Sequence, residues 1–158
     1  DIISYVRSEF KILIGERTAE NLKIAIGSVL SPQVSLEAAI KGRDLITGLP
    51  REVMVTDTDV REAIALSVDN LIEAVKEVLE TTPPEIVSDV MGRGLYLVGG
   101  GALIKGLPEL LAESLKIPVH QADDPMTAVA RGAGIILEDF ERYKDVLIQN
   151  EDELPPHS

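Results

Sequence analysis

No cysteine and no tryptophan occur among the 158 residues, and histidine occurs only twice. The missing thiols exclude disulfide staples and thiolate metal sites. His120 and His157 are far apart, and His157 lies in a polar tail, so neither a zinc site nor a Ser-His-Asp triad has a foundation. Aromatics are scarce at 3%, although apolar residues reach 45%. Ile, Leu, Val and Ala must therefore fill the interior, which favours helices packed on a short sheet over an all-β design. No apolar run is long enough for a membrane span, and the opening Asp1-Ile2-Ile3-Ser4 has no signal-peptide pattern. Positive charge is also in short supply. Fifteen Lys and Arg face 27 Asp and Glu, for a net charge of −12. Without a basic face, nucleic-acid binding is not expected, and a well-solvated surface accounts for the acidity. The chain lacks an initiator Met and opens inside a helical pattern, so it is expected to be a piece of a longer cytoplasmic protein.

What is present suits one domain, or a core with a small lobe. Ile3, Val6, Phe10 and Leu13 recur at helical spacing, with Gly15 as the expected terminator. A second helix is expected from Thr18, with Leu22, Ala25, Ile26 and Val29 inward, stopping at Ser31-Pro32. Val34, Leu36, Ala38 and Ile40 alternate as in a half-buried strand, and Val53 and Val55 alternate again. Gly42-Arg43-Asp44 and Gly48-Leu49-Pro50 read as turns, making 34–56 a small antiparallel unit. A long amphipathic helix is expected over 59–80, with Ala63 or Ile64, Val68, Leu71, Val75, Val78 and Leu79 inward. A short helix follows, with Pro84 at its first position behind Thr82, and ends at Gly92. Leu95–Val98 is a continuous apolar run, the pattern of a strand buried on both faces. Helices opening at Pro108 and Pro125 and a second strand over 118–121 complete a β-α-β-α unit with a parallel pair. Residues 138–158 read as a charged helical extension that fades into a disordered end.

The sequence Leu97-Val98-Gly99-Gly100-Gly101-Ala102-Leu103-Ile104 carries the most chemistry. Glycines after a strand admit positive φ and remove Cβ atoms, so a flat ligand can lie against the main chain and meet its amides. Such ligands sit at the carboxyl ends of strands in α/β sheets. An ordinary tight strand-to-helix turn explains the glycines equally well. Neither the Walker A spacing nor a dinucleotide Gly-x-Gly-x-x-Gly with a downstream acid is present.

Residues 97–107 resemble the adenosine motif of the actin, hexokinase and chaperone ATPase superfamily. Gly15-Glu16-Arg17-Thr18-Ala19-Glu20-Asn21-Leu22-Lys23 and Gly42-Arg43-Asp44-Leu45-Ile46-Thr47-Gly48-Leu49-Pro50-Arg51 are similar to strings of the MreB/Mbl family, the bacterial rod-shape-determining actins. Asp124-Pro125-Met126-Thr127-Ala128-Val129-Ala130-Arg131-Gly132-Ala133-Gly134 resembles that family's last core helix, so the likeness runs in order over roughly 1–140.

The resemblance implies an α/β fragment of the actin-like ATPase (ribonuclease H-like) fold, a short parallel sheet flanked by helices plus a small α+β lobe. Residues 1–17 and 81–140 would form the core lobe, 18–80 the inserted lobe and 141–158 the tail. It implies ATP or ADP, with Mg²⁺ in the full-length family, as cofactor. Gly99, Gly100 and Gly101 would flank adenosine, Leu103 and Ile104 would lie beside the base, and Glu20 and Lys23 would clasp adenine and ribose. Read without the resemblance, Glu20 and Lys23 are a solvated surface pair, Glu16 a helix-entry charge and Asp124 an N-cap before Pro125. The family's phosphate loops, metal-binding aspartate and water-activating groups match nothing here, so no catalytic or metal-binding residue is assigned and the chain alone is expected to be inactive. Expected partners are copies of itself, because a two-stranded core leaves an edge and an apolar face uncovered, and, by resemblance, the cell-wall synthesis machinery. The expected location is cytoplasmic, at the inner face of the membrane, with no membrane contact from this chain. A sugar kinase or chaperone-type ATPase of the same superfamily, or an α/β interaction module without nucleotide, are the alternatives.

Overall fold

A computed structural model describes residues 1–144 of the chain. Its first helix, α1 (Ile2–Glu9), buries Ile2 and Val6 on one face. The helix does not run on to Leu13. Lys11 takes a left-handed backbone, φ 55°, and Ile12–Leu13 form a short strand, β1. Alternation replaces helical spacing there, so Ile12 and Ile14 are buried while Leu13 is 39% exposed. Gly15 ends no helix; in extended conformation it is the N-cap of α2 (Glu16–Ile26). α2 turns Ala19, Leu22 and Ile26 inward, and Ala25, expected beside them, is exposed.

β2 (Glu37–Asp44) and β3 (Pro50–Thr56) pair antiparallel, with Ala38 opposite Val55 and Ile40 opposite Val53; β1 lines the other edge of β2, Ile12 opposite Asp44. The expected antiparallel unit is present, but it begins at Glu37 and leaves Val34 in solvent. Gly42-Arg43-Asp44 belongs to the strand, not to a turn. A glycine is needed at 42 because β1 passes so close that a Cβ would lie 2.6 Å from the Leu13 carbonyl oxygen.

The turn itself is built by buried Asp44. Its Oδ1 accepts from the Ile46 and Thr47 amides, both at 2.8 Å, and its Oδ2 from Arg51 Nη1 at 3.0 Å. The Thr47 amide, then the Ile46 amide and the Arg51 guanidinium, hold the carboxyl at about 2. A carboxyl whose folded value lies below its unfolded value, about 4, stabilises the fold fully above that pH and loses its contribution as pH falls towards 2. The stability gap between the parent chain and Asp44→Asn, read from urea midpoints, should therefore be widest above pH 5 and shrink on acidification. A gap constant down to pH 2 would contradict this account.

α3 (Asp57–Thr81) opens on a capping box that sequence periodicity had missed: Asp59 N donates to Thr56 Oγ1, and Thr56 N donates to Asp59 Oδ2. It buries Val60, Ile64, Val68 and Ile72. Ile64 and Val68 are inward as expected, but the stripe then steps by four to Ile72, so Leu71 and Val78, also expected inward, are exposed. Asp57, 2% exposed, binds the incoming loop: it accepts from the Leu36 amide, from Ser35 Oγ and from Arg61 Nη1. Chiefly the Leu36 amide, with help from Ser35 and Arg61, holds its carboxyl below the usual range despite burial.

Beyond α4 (Pro84–Arg93), whose N-cap is Pro83 rather than Thr82, the chain forms β4 (Leu95–Leu97), a 3₁₀ turn (Gly100–Leu103), α5 (Leu107–Leu115) and β5 (Val119–Gln121). β4 and β5 pair in parallel, Leu95 opposite Val119. β4 is not buried on both faces. It pairs on one edge only, and Tyr96 and Val98 face solvent. The last core helix, α6 (Ala128–Glu138), opens three residues after Pro125 and is followed by α7 (Phe140–Tyr143). Neither buries a residue, and Val129, Leu137 and Phe140 are exposed. The remainder of the expected tail lies outside the described residues. One apolar cluster joins α1, β1, α2, the β2–β3 hairpin, α3 and α5, with Leu107 and Leu111 entering from α5.

Candidate nucleotide-facing cleft

The second face of α2 gives the site its first wall. Glu20, Lys23, Ile24 and Gly27 fall at i, i+3, i+4 and i+7, a stripe turned away from Leu22 and Ile26. The glycine turn gives the opposing wall. Between them lies a cavity of about 220 Å³, bordered by Glu20, Lys23, Gly100, Leu103 and Ile104. Five of the seven residues expected to meet adenosine thus come together. Gly101 borders a neighbouring apolar cavity, shared with Leu71 and Val98, and Gly99 borders neither. Ile24, Gly27, Lys105 and Met126 complete the cleft. Of these, Ile24 and Gly27 were legible as continuations of the Glu20–Lys23 stripe; Lys105 and Met126 arrive only through the tertiary fold.

Gly99 has a backbone cause that the other two glycines of the turn lack. Gly99 takes φ 81°, ψ 174°, a region that L residues avoid, and its amide donates to the Pro125 carbonyl at 2.7 Å. Gly100 and Gly101 need no such freedom, and a Cβ on either would meet nothing within 4 Å. The chain's own packing therefore does not account for them, and the space beside Gly100 opens into the cleft. The first amides of a 3₁₀ helix have no acceptor within it, so they are available to oxygens placed there.

The Pro125 contact also corrects the reading of Asp124. Asp124 takes φ 46° and its carbonyl accepts from Thr127 N, closing a turn rather than capping a helix at Pro125. That turn brings Met126 to the cleft. Lys23 Nζ and Glu20 Oε2 form an ion pair at 2.7 Å on the rim. With Glu20 half exposed, the pair adds little to stability, about 0–1 kcal/mol. The walls combine apolar surface for a ring with one carboxylate, Glu20, and two lysines, Lys23 and Lys105, for hydroxyls and ring edges. The donor set fits a nucleoside. It does not fit a metal: among the described residues no three His, Asp or Glu side chains come together to hold one, and no helix there is long and apolar enough to cross a membrane.

The fold is actin-like. MreB5 of Spiroplasma citri, in a crystal structure bound to ADP, matches 91% of this chain and 44% of its own length with a TM-score of 0.86 and 33% identity. The double helical filament of MamK shares the fold at a TM-score of 0.71 and 22% identity, over 87% of this chain and 42% of its own. Within that class the sequence is specific. The family model described as MreB/Mbl protein matches residues 1–145, and the chain belongs to that family. It is 46% identical to the cell shape-determining protein Mbl of Bacillus subtilis over 90% of its length, and 41% identical to the cell shape-determining protein MreB of Escherichia coli over 95%. In both comparisons it spans 43% of the relative's length.

Proposed function

We propose that this chain forms the adenosine-binding side of an ATP-binding, actin-like filament subunit. The observation that carries the reading is the convergence of the α2 stripe and the glycine turn on one cleft, with Gly100 open to it. Glu20 accepts from ribose hydroxyls, the Lys23 stem lies along the base, and Leu103 and Ile104 cover the ring. Gly99 shapes the turn and Gly101 continues it towards the phosphates. ATP or ADP, with Mg²⁺ held by residues that this chain does not supply, is the cofactor. The whole protein assembles with its own copies in the cytoplasm at the inner membrane face and organises cell-wall synthesis and so cell shape. The ADP-bound relative supports the nucleotide, and the relatives named as cell shape-determining proteins support the cellular role.

Adenosine titrated into the isotope-labelled chain should shift the amides of Glu20–Ile24 and Gly100–Ile104 with weak affinity, since phosphate contacts are missing. Lys23→Ala should weaken that response without altering the thermal midpoint, because the ion pair it removes is a rim pair. No response at either wall, or a response confined to other surfaces, would sink the reading. Mg-ATP mixed with the chain alone should release no phosphate above background; release abolished by a Lys23 substitution would show chemistry that the cleft does not account for.

A further inference from the structure

We propose that Ser28 is a positioning residue that sets the width of this cleft, an inference that rests on the nucleotide reading above. The two walls come from parts of the chain 77 residues apart and are joined by an isolated parallel bridge between Ser28 and Lys105. Val29 N donates to the Lys105 carbonyl at 2.9 Å. Ser28, 7% exposed, shares its hydroxyl proton between the Leu30 carbonyl at 2.7 Å and that same Lys105 carbonyl at 3.2 Å. Lys105, one side of this contact, and Gly27, next to the other, border the cleft themselves.

Glycines shape both sides of the contact, Gly27 by ending α2 and Gly106 by leaving room for Leu30 of the other segment. Gly27 ends α2, its amide donating to the Lys23 carbonyl at 2.8 Å, and a Cβ there would strike that carbonyl. Gly106 takes φ 81°, and a Cβ on it would lie 2.8 Å from Leu30 Cγ. A glycine therefore stands beside each bridge residue, and a small buried hydroxyl fills the space between two carbonyls. α2 and α5 also share the apolar cluster, through Leu22 and Ile26 on one and Leu107 and Leu111 on the other, while the polar contact between the walls runs from Ser28, just past Lys23 and Ile24, to Lys105, just past the 3₁₀ segment. Rotating or lengthening this contact changes the separation of Lys23 from Gly100 and Ile104, so Ser28 acts on the ligand through Lys23.

That route makes the test sharp. Adenosine affinity is measured by amide shifts in the 158-residue chain and in Ser28→Ala, Lys23→Ala and the double variant. Ser28→Ala should weaken binding about fivefold, the worth of roughly one hydrogen bond. The same change should matter little once Lys23 is gone, because the wall it positions has lost its contact group. Ser28→Thr should restore most of the affinity, and hydrogen exchange at the Val29 amide should accelerate in Ser28→Ala alone. Unchanged affinity in Ser28→Ala, or an equal loss with and without Lys23, overturns the positioning role. If Ser28→Ala does not fold, Ser28→Cys, close in size and a weak donor, carries the same comparison. Absence of any adenosine response in the unaltered chain overturns the nucleotide reading and the positioning role with it, whereas loss of the Ser28 effect alone leaves the nucleotide reading standing.

Discussion

Ile12→Ala should destabilise the chain by about 3–4 kcal/mol, whereas Leu13→Ala one residue on should cost less than about 1 kcal/mol. Ile12 is fully enclosed, with no exposed surface, and belongs to the cluster that α1, the hairpin, α3 and α5 share. Truncating it removes three methyl or methylene groups and leaves a void within that cluster, beside α1 and β2, which pack on β1. Such a site collapses poorly, so the cavity adds to the lost transfer free energy. A small domain holds roughly 5–15 kcal/mol in total, which makes this a large fraction of the whole. Leu13 points the other way and keeps 39% of its surface in water. Urea midpoints for the two variants decide the matter. Comparable losses at both positions would mean that residues 10–14 pack as a helix, with β1 absent in solution.

The same pair of residues shows why the sequence misled there. Ile3, Val6, Phe10 and Leu13 have helical spacing, and nothing local contradicts it except Lys11, which carries no intrinsic turn signal but takes φ 55°. What overrides the spacing is the edge of β2: Leu45 N donates to the Lys11 carbonyl at 2.9 Å, and Ile12 pairs with Asp44. Those partners lie more than thirty residues away, out of reach of any periodicity. Gly42 was misassigned for a related reason, its cause being the passage of Leu13 and not a bend in its own strand. In α3, by contrast, local pattern sufficed for the element, because amphipathic spacing persists over nearly all of its twenty-five residues; only the start, set by the capping box at Thr56, was placed two residues late. Of the cleft, the wall on α2 was readable only through the family resemblance, since Glu20 and Lys23 by themselves read as a solvated surface pair; extending their stripe by i+4 and i+7 adds Ile24 and Gly27. Met126 was not readable, since it reaches the cleft only because the Gly99 amide binds the Pro125 carbonyl.

Gly100→Val should abolish most adenosine binding, by about tenfold or more, while leaving the fold as stable as before. The two halves of that expectation come from one fact: a Cβ on Gly100 meets no atom of the chain within 4 Å. The Cβ itself disturbs no packing, and replacing glycine at a compatible backbone position restricts the unfolded chain, which favours folding by a few tenths to about 1 kcal/mol. Yet the added carbons occupy the floor of the cavity that Glu20, Lys23 and Ile104 enclose. A displaced ring or a forced shift of the turn costs about 1–3 kcal/mol, and 1.4 kcal/mol is a factor of ten in affinity. Gly99→Ala provides the opposite signature. Its backbone at φ 81°, ψ 174° is strained for any L residue, so stability falls by about 1–3 kcal/mol, with binding lost in proportion to the distortion of the turn. Gly101→Ala, bordering the neighbouring cavity instead, should change adenosine affinity far less than Gly100→Val. Thermal midpoints and adenosine titrations on the three variants separate glycines kept for the backbone from the one kept for the ligand. If Gly100→Val binds adenosine as well as the parent chain, the open space beside it is empty of function, and the glycine turn is a strand-to-helix connection and nothing more.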